Sequence, residues 1–411
     1  MAPGAPTLGF RDVLRIVPMR RLWYAQIVSL LGDFVALFAI LATASFEFRA
    51  SAAEITWISI CYMLPTAVLG PICGVFVDRW PVKRTLIASD LIRAALSVGL
   101  LFATTTAHFY PILLGIGLLS TLFAPAQGVA IRSLVPAQGL LTANALMQQV
   151  FFLMRIAGPG LAGLLVSHFG ARFCYAADTF SFLASAALIA PLAIVRPPAQ
   201  AKEEHGAATG IERVWLEMRS GFRFILHHAT ILFVVAALGA ATFAIGCFAP
   251  LIAVYVRDIL HRETGLFATA SALIGGGLLV GATLVRPLAA RLPAARFVFA
   301  GQGLLLAAVL LLGLTNSAAL TLLACTLTGF AVACVMIPSQ ALLQAETPPD
   351  LLGRVGSTVM SFAFASQVVG LLLSGVLEKL AGIRNVFLLI AALLSLQVAA
   401  GAFYQRARPA R

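Results

Sequence analysis

The sequence predicts an all-α membrane protein of twelve transmembrane helices, arranged as two pseudo-symmetric six-helix bundles. Three observations lead to this fold class. The 411 residues are 61% hydrophobic and 11% charged, whereas ordinary soluble domains carry about 25% charged residues. Apolar runs of about 20 residues, the length that crosses a bilayer, recur along the whole chain. One long polar stretch separates six of these runs from six others.

The predicted spans follow one another through short gaps within each half. In the first half they cover residues 22–46, 55–77, 84–104, 109–131, 140–166 and 171–195, and in the second half residues 229–256, 265–285, 296–315, 318–343, 354–377 and 383–404. Gly and Pro inside these runs are tolerated because neighbouring helices satisfy the freed backbone groups. The predicted organisation is an N-terminal bundle over 1–195, a linker over 196–228 and a C-terminal bundle over 229–411.

The basic residues predict how the spans are oriented. The chain has 28 Lys and Arg against 16 Asp and Glu, and most of the basic residues fall in gaps on one side of the predicted spans. Because such an excess is typical of cytoplasmic loops, both termini are predicted to be cytoplasmic in a bacterial-type inner membrane. Within the linker, apolar residues at helical spacing over 211–225 predict either an amphipathic helix on the membrane surface or a cytoplasmic extension of the seventh span.

The two halves show a faint internal repeat. The sequence around the end of the fourth span is FAPAQGVAIRSLVPAQ, and that around the end of the tenth is MIPSQALLQAETPPD. At a constant offset, Pro125, Gln127 and Pro136 match Pro338, Gln340 and Pro349. Repeats of this kind at the same span of each half are typical of duplicated transport proteins.

The gap after the second span contains GVFVDRWPVKR, residues 74–84. This stretch resembles the cytoplasmic loop motif of the major facilitator superfamily, although Phe76, Pro81 and Val82 depart from the usual pattern. SLLGD in the first span, SDLIRA at 89–94 and GPGLAG in the fifth span resemble the branch of enterobactin exporters and macrolide-efflux proteins. The resemblance covers the N-terminal half by motifs and the C-terminal half mainly by topology.

The resemblance implies roles for several residues. It implies a cytoplasmic gate in which Asp78 holds the two halves together, with the start of the eleventh span as its partner. The gate motif comprises Gly74, Asp78, Arg79, Lys83 and Arg84. Possible partners of the gate are Asp90, Arg93, Arg132 and Arg354. The fifth-span motif comprises Gly158, Pro159, Gly160 and Gly163. A purely topological role of the basic loop stays open.

Five ionisable residues fall inside the predicted spans: Asp33, Asp90, Arg93, Arg155 and Asp178. A charge in the bilayer costs about 2.5–3.5 kcal/mol on insertion scales. Asp33 and Arg155 are predicted at similar depths, ~17 and ~22 Å from the cytoplasmic end of their spans at about 1.5 Å per residue, so they are predicted to pair in a central cavity. Asp90 and Arg93 lie three residues apart, which favours a local pair near the cytoplasmic end, and Asp178 is either a structural acid or a titrating site.

The predicted function is secondary active transport, with proton-coupled efflux of amphipathic small molecules such as drugs or siderophores. Asp33, Arg155 and Asp178 are the predicted coupling residues, and Gln26, Gln148, Gln340 and Gln367 are possible substrate contacts. A lipid or lysophospholipid flippase on the same fold is the alternative; a non-transporting sensor or an intramembrane enzyme is a remote one. The partners are expected to be the substrate, protons and the bilayer, in a monomer. The scattered cysteines and histidines predict no metal site, and no cofactor or nucleic acid is expected.

Overall fold

A computed structural model describes residues 8–77, 80–194, 222–289, 293–348 and 351–407. Within these residues the chain is helical throughout, apart from short connections. Contacts along the chain divide it into two compact units, one of Met1–Ala50 with Trp57–Lys202 and one of Ser51–Thr56 with Glu203–Arg411. Residues 195–221 of the predicted linker lie outside the described residues, so the predicted boundary and most of the amphipathic helix stay predictions.

The first unit contains one short helix and six long ones, except that the first residues of α3, up to Thr56, belong to the second unit. Helix α1 (Phe10–Arg15) precedes α2 (Val17–Ala42), which continues into a π-helical turn over Thr43–Glu47. The others are α3 (Ala52–Val77), α4 (Val82–Leu100), α5 (Thr106–Leu134), α6 (Leu140–Phe169) and α7 (Ala171–Ile189). Helix α7 ends six residues before its predicted span, because Pro191 lacks the backbone N–H that a further helical turn requires.

The second unit begins in the described part with a helical segment, α8 (residues 222–227). Six long helices follow: α9 (Ala229–Asp258), α10 (Thr264–Ala289), α11 (Ala294–Leu314), α12 (Ala318–Glu346), α13 (Leu352–Ala381) and α14 (Ile383–Ala407). Each of the twelve predicted spans therefore coincides with a long helix of the described chain. By length and hydropathy alone, seven of the described helices are able to cross a membrane; α4, for example, falls short because it carries Lys83, Arg84, Asp90 and Arg93.

Glycines let helices α10 and α12 approach closely. A Cβ atom on Gly329 of α12 would collide with the backbone oxygen of Ile274, and one on Gly277 of α10 with the backbone oxygen of Thr326. In membranes, small residues at helix interfaces allow the backbones to pack against each other. The contact of α10 with α12 therefore depends on the absence of these two side chains.

Gly329→Ala is expected to destabilise the second unit by about 1–3 kcal/mol, the usual cost of overpacking, because the colliding atom belongs to the backbone. The matched control is Gly303→Ala on α11, where an added Cβ meets nothing within 4 Å. Thermal unfolding of the detergent-purified variants measures the difference. Equal melting temperatures for the two variants would show that the α10–α12 contact tolerates a methyl group.

Candidate functional site

Helices α4 and α7 of the first unit run antiparallel and join through two reciprocal hydrogen bonds. The Ser185 hydroxyl donates to Asp90 Oδ2 at 2.7 Å, and the Ser97 hydroxyl donates to Asp178 Oδ2 at 2.5 Å. On each helix the serine and the aspartate are two turns apart. Each helix thus supplies an acid to the other helix and a hydroxyl that binds the other helix's acid.

Arg93 of α4 joins this pair of helices to α2. Its guanidinium Nη2 lies 2.5 Å from Asp90 Oδ1, and Nη1 lies 3.8 Å from Asp33 Oδ2. Nε donates to the backbone oxygen of Ser89 at 3.4 Å, and Nη1 donates to the Ser120 hydroxyl on α5 at 3.5 Å. One guanidinium therefore contacts two carboxylates on different helices, a geometry to which its planar fork is suited.

Two phenylalanines flank the same guanidinium. The Cζ atom of Arg93 lies 4.8 Å from the ring centroid of Phe123 and 4.5 Å from that of Phe182. Cation–π contacts at such distances are worth about 2 kcal/mol or more where water is excluded. The rings stabilise the positive charge and hold the guanidinium plane between α2, α5 and α7.

Asp178 reaches toward α2 at a glycine. A Cβ atom on Gly32 would lie 2.8 Å from Asp178 Oδ1 and would collide with the Ser181 hydroxyl. Asp178 Oδ1 is buried and has no hydrogen-bond partner among the described residues. Gly32 thus permits the close approach of α2 to α7 that brings Asp178 beside Asp33.

The resulting charge cluster, defined as Asp33, Asp90, Arg93 and Asp178, is almost fully buried. Asp90, Asp178 and Arg93 are 0%, 1% and 3% exposed, and the side chain of Asp33 is 9% exposed. It contains three carboxyl groups and one guanidinium. If all three carboxyl groups were ionised, the single guanidinium would leave an excess of negative charge in a buried site, where each uncompensated ion costs several kcal/mol.

The structure differs from the sequence prediction in how these charges are grouped. Asp90 and Arg93 were expected near the cytoplasmic end of their helix, apart from Asp33. Arg93 instead reaches the depth of Asp33, because α4 begins at Val82 and eleven residues correspond to about 17 Å. The predicted partner Arg155 lies in α6 at a position whose side chain is outside the described part of the chain, so the Asp33–Arg155 pair stays a prediction.

Comparison with known proteins identifies the family. The model of the Major Facilitator Superfamily matches residues 22–357 and 234–411. The chain belongs to the major facilitator superfamily. It is therefore a multi-pass membrane transporter, not an enzyme.

Several relatives and solved structures of the superfamily cover most of this chain. Macrolide efflux protein A of Streptococcus pyogenes is 27% identical over 91% of this chain and 92% of its own length. The multidrug efflux pump Tap of Mycolicibacterium fortuitum is 26% identical over 88% and 90%. A bacterial homologue of the iron transporter ferroportin aligns with a TM-score of 0.70 at 14% identity, over 95% of this chain and 99% of that chain, a likeness that shows the fold.

The superfamily loop motif is only partly placed. Gly74 lies in the last turn of α3, and Lys83 and Arg84 lie in the first turn of α4. Asp78 and Arg79 lie outside the described residues. Among the predicted gate partners, Arg132 is exposed in the last turn of α5, and the side chain of Arg354 is not among those described. The gate stays a prediction.

The fifth-span motif falls on α6 beside the charge cluster. A Cβ atom on Gly158 would lie 2.5 Å from the Cβ atom of Phe34, the neighbour of Asp33, and Gly163 is buried. The surroundings of Pro159 and Gly160 lie outside the described residues. Gly158 therefore allows α6 to pack against α2 next to the acid.

The four predicted substrate contacts have different surroundings. Gln26 on α2 accepts a hydrogen bond from the Gln127 amide on α5, and Gln148 on α6 is exposed. In the second unit, the Gln340 amide lies 3.8 Å from the sulfur of Met360, and Gln367 is half-buried on α13. Whether any of them touches substrate stays a prediction.

Sequence reasoning missed the serines that complete the cluster. Asp90, Arg93 and Ser97 on α4 have the same spacing as Asp178, Ser181 and Ser185 on α7. Steps of three and four residues place such groups on one helix face. Two polar faces with the same spacing, on the third and sixth predicted spans of an otherwise apolar half, are the signal that would have indicated a contact between α4 and α7.

Proposed function

We propose that this transporter exports amphipathic small molecules, such as drugs or siderophores, in exchange for protons. The proposal draws its direction of transport from macrolide efflux protein A and the multidrug efflux pump Tap, each of which aligns along most of its length. We further propose that both termini lie on the cytoplasmic side of a bacterial cytoplasmic membrane and that the chain acts as a monomer. The bundles over 1–195 and 229–411 would alternate access to a central cavity, gated by Asp78 and its partners.

The charge cluster is the observation that supports proton coupling. One guanidinium contacts two of the three carboxyl groups in a buried site, so at least one carboxyl group is favoured to hold a proton. Asp33 is the candidate with the weaker link, because its oxygen lies 3.8 Å from Arg93 whereas that of Asp90 lies 2.5 Å away. Protonation of Asp33 would leave Arg93 paired with Asp90 alone.

Loss of that second contact would free α2 from α4. In the charged form, Arg93 connects α2 to α4 and α7 through Asp33 and Asp90, whereas in the protonated form α2 keeps only its apolar packing near Asp33. A proton at Asp33 thus changes the free-energy difference between two arrangements of the helices, which is what coupling requires. One oxygen of Asp178 has no hydrogen-bond partner among the described residues. Asp178 is therefore the acid with which Asp33 would share such a proton.

Substrate-induced proton release is the expected result of this mechanism. Purified transporter in weakly buffered detergent solution should release up to one proton per protein when a macrolide is added, measured with a pH-sensitive dye. The control titration uses the Asp33→Asn variant, which should release none. A transporter that binds macrolide without releasing protons would contradict proton coupling, and movement of a fluorescent lysophospholipid without macrolide binding would favour a flippase.

A further inference from the structure

A cavity of about 300 Å³ lies at the start of α2 in the first unit, away from the charge cluster. Its lining consists of three arginines, two aromatic residues and one leucine: Arg11, Leu14, Arg15, Arg20, Trp23 and Tyr24. The volume is at the lower end of the range of small-molecule sites. None of these residues takes part in the charge cluster or the loop motif.

The short helix α1 is held rigidly over this cavity. Val13 of α1 is fully buried in an apolar cluster with the ends of α2, α5 and α6. Leu8 donates its backbone N–H to the oxygen of Gln138 at 3.3 Å, and the Thr142 hydroxyl donates to the Leu8 oxygen at 2.7 Å. The backbone of α1, which carries Arg11 and Arg15, is thus anchored next to the start of α2, which carries Arg20.

The cavity carries a strong excess of positive charge. Arg15 lies 4.0 Å from Asp12, but the two side chains are 84% and 52% exposed, and an ion pair in that setting contributes little. Among the described ion pairs, Arg11 and Arg20 have no carboxylate within 4.0 Å. Three guanidinium groups against one exposed carboxylate favour a ligand with a phosphate group, which guanidinium binds in bidentate fashion.

The position of the cavity along the membrane normal indicates that a lipid supplies that phosphate. Trp23 precedes Asp33 by ten residues on one continuous helix, which corresponds to ~15 Å or half of the ~30 Å hydrocarbon core. With Asp33 near the bilayer midplane, Trp23 and Tyr24 lie at the membrane surface, where these residue types are enriched. The apolar Phe10 and Val17 are 47% and 46% exposed beside them.

We infer that this cavity, bounded by α1 and the start of α2, binds the phosphate headgroup of an anionic phospholipid from the membrane leaflet. The aromatic rings and exposed apolar side chains contact the acyl region, and the three arginines bind the headgroup. The site stands independently of the proposed efflux activity, because it uses none of the residues of the charge cluster.

Native mass spectrometry of the detergent-purified, full-length transporter tests this site. Phosphatidylglycerol and phosphatidylcholine are titrated separately, and inorganic phosphate is added as a competitor at millimolar concentration. The variants are Arg20→Gln, Arg15→Gln and, as the matched control, Arg21→Gln, which removes an exposed arginine that does not line the cavity. Each cavity variant is expected to weaken phosphatidylglycerol binding about fivefold, the equivalent of about 1 kcal/mol per basic residue, and Arg21→Gln is expected to leave it unchanged.

Several outcomes would overturn the inference. If Arg20→Gln and Arg21→Gln weaken phosphatidylglycerol binding equally, the lipid is attracted to the basic surface in general. If the wild type binds phosphatidylcholine as tightly as phosphatidylglycerol, the cavity does not select the headgroup. Binding of inorganic phosphate without any preference for phosphatidylglycerol over phosphatidylcholine would assign the cavity to a free anion. Arg20→Lys serves as a second variant that keeps the charge; it should bind phosphatidylglycerol more tightly than Arg20→Gln, and failure to do so would also contradict the site.

Discussion

Replacing Arg93 with methionine is expected to destabilise the first unit by about 3–5 kcal/mol, the cost of breaking a buried ion pair by removing one partner. Asp33 and Asp90 would lose the cation between them, while methionine fills much of the volume between Phe123 and Phe182. The measurement is thermal unfolding in detergent, monitored by the loss of the folded-protein peak in size-exclusion chromatography. A melting temperature equal to that of the wild type would show that the charges are compensated elsewhere.

A second substitution separates charge from packing in this variant. Adding Asp90→Asn to Arg93→Met removes one of the uncompensated carboxylates and should recover part of the lost stability, an effect that a double-mutant cycle isolates. Arg93→Lys keeps the charge but offers one ammonium group in place of a fork that contacts both Asp33 and Asp90. It is expected to fall between the wild type and Arg93→Met.

If the protein exports macrolides in exchange for protons as proposed, Asp33→Asn is expected to reduce the export driven by a pH gradient at least tenfold while the protein still folds. Asparagine keeps the shape of the side chain but removes its charge and its titration, while Arg93 stays paired with Asp90 at 2.5 Å. Export is measured in proteoliposomes with an imposed gradient, and binding of the same macrolide is measured in detergent. The expected pattern is retained binding with lost dependence on the gradient.

Asp258→Asn is the matched control, because Asp258 is a half-exposed acid at the end of α9 that pairs with its neighbour Arg257. Export by this variant should equal that of the wild type. Full gradient-driven export by Asp33→Asn would exclude Asp33 as the coupling acid. Asp178→Asn would then decide whether the second buried acid carries the proton.

The helices of this chain could be predicted because their cause is local. Apolar runs set the length of each helix through the thickness of the bilayer, and the described helices follow the predicted spans closely, as in residues 318–343 and α12 (Ala318–Glu346). The family could be predicted from GVFVDRWPVKR, which stands in the gap after the second span of a six-plus-six chain, and from the acid within the first span. The superfamily match confirms this prediction.

The partners within the charge cluster could not be predicted in the same way. Depth along a helix is readable from residue number, and on that basis Asp33 was matched with Arg155. Depth does not determine which helices are neighbours, however. Helix α4 packs against α5 and α7, and the long side chain of Arg93 reaches Asp33 on α2; the Asp33–Arg155 pair itself stays a prediction. Gly32 contributes to this arrangement through its missing side chain, a feature with no charge or hydropathy signal.

The sequence by itself therefore determined the lipid environment of this protein, the approximate positions of the twelve long helices in the described chain, its family, and the presence of costly charges in the N-terminal half. Those properties depend on composition and on periodicity along one chain segment. Only the tertiary structure decided that Ser185 binds Asp90, that Ser97 binds Asp178, and that one guanidinium joins α2 to α4. Such contacts depend on which helix faces pack together. The packing of those faces depends on the side chains of all neighbouring helices together, so it cannot be read from the sequence of one helix.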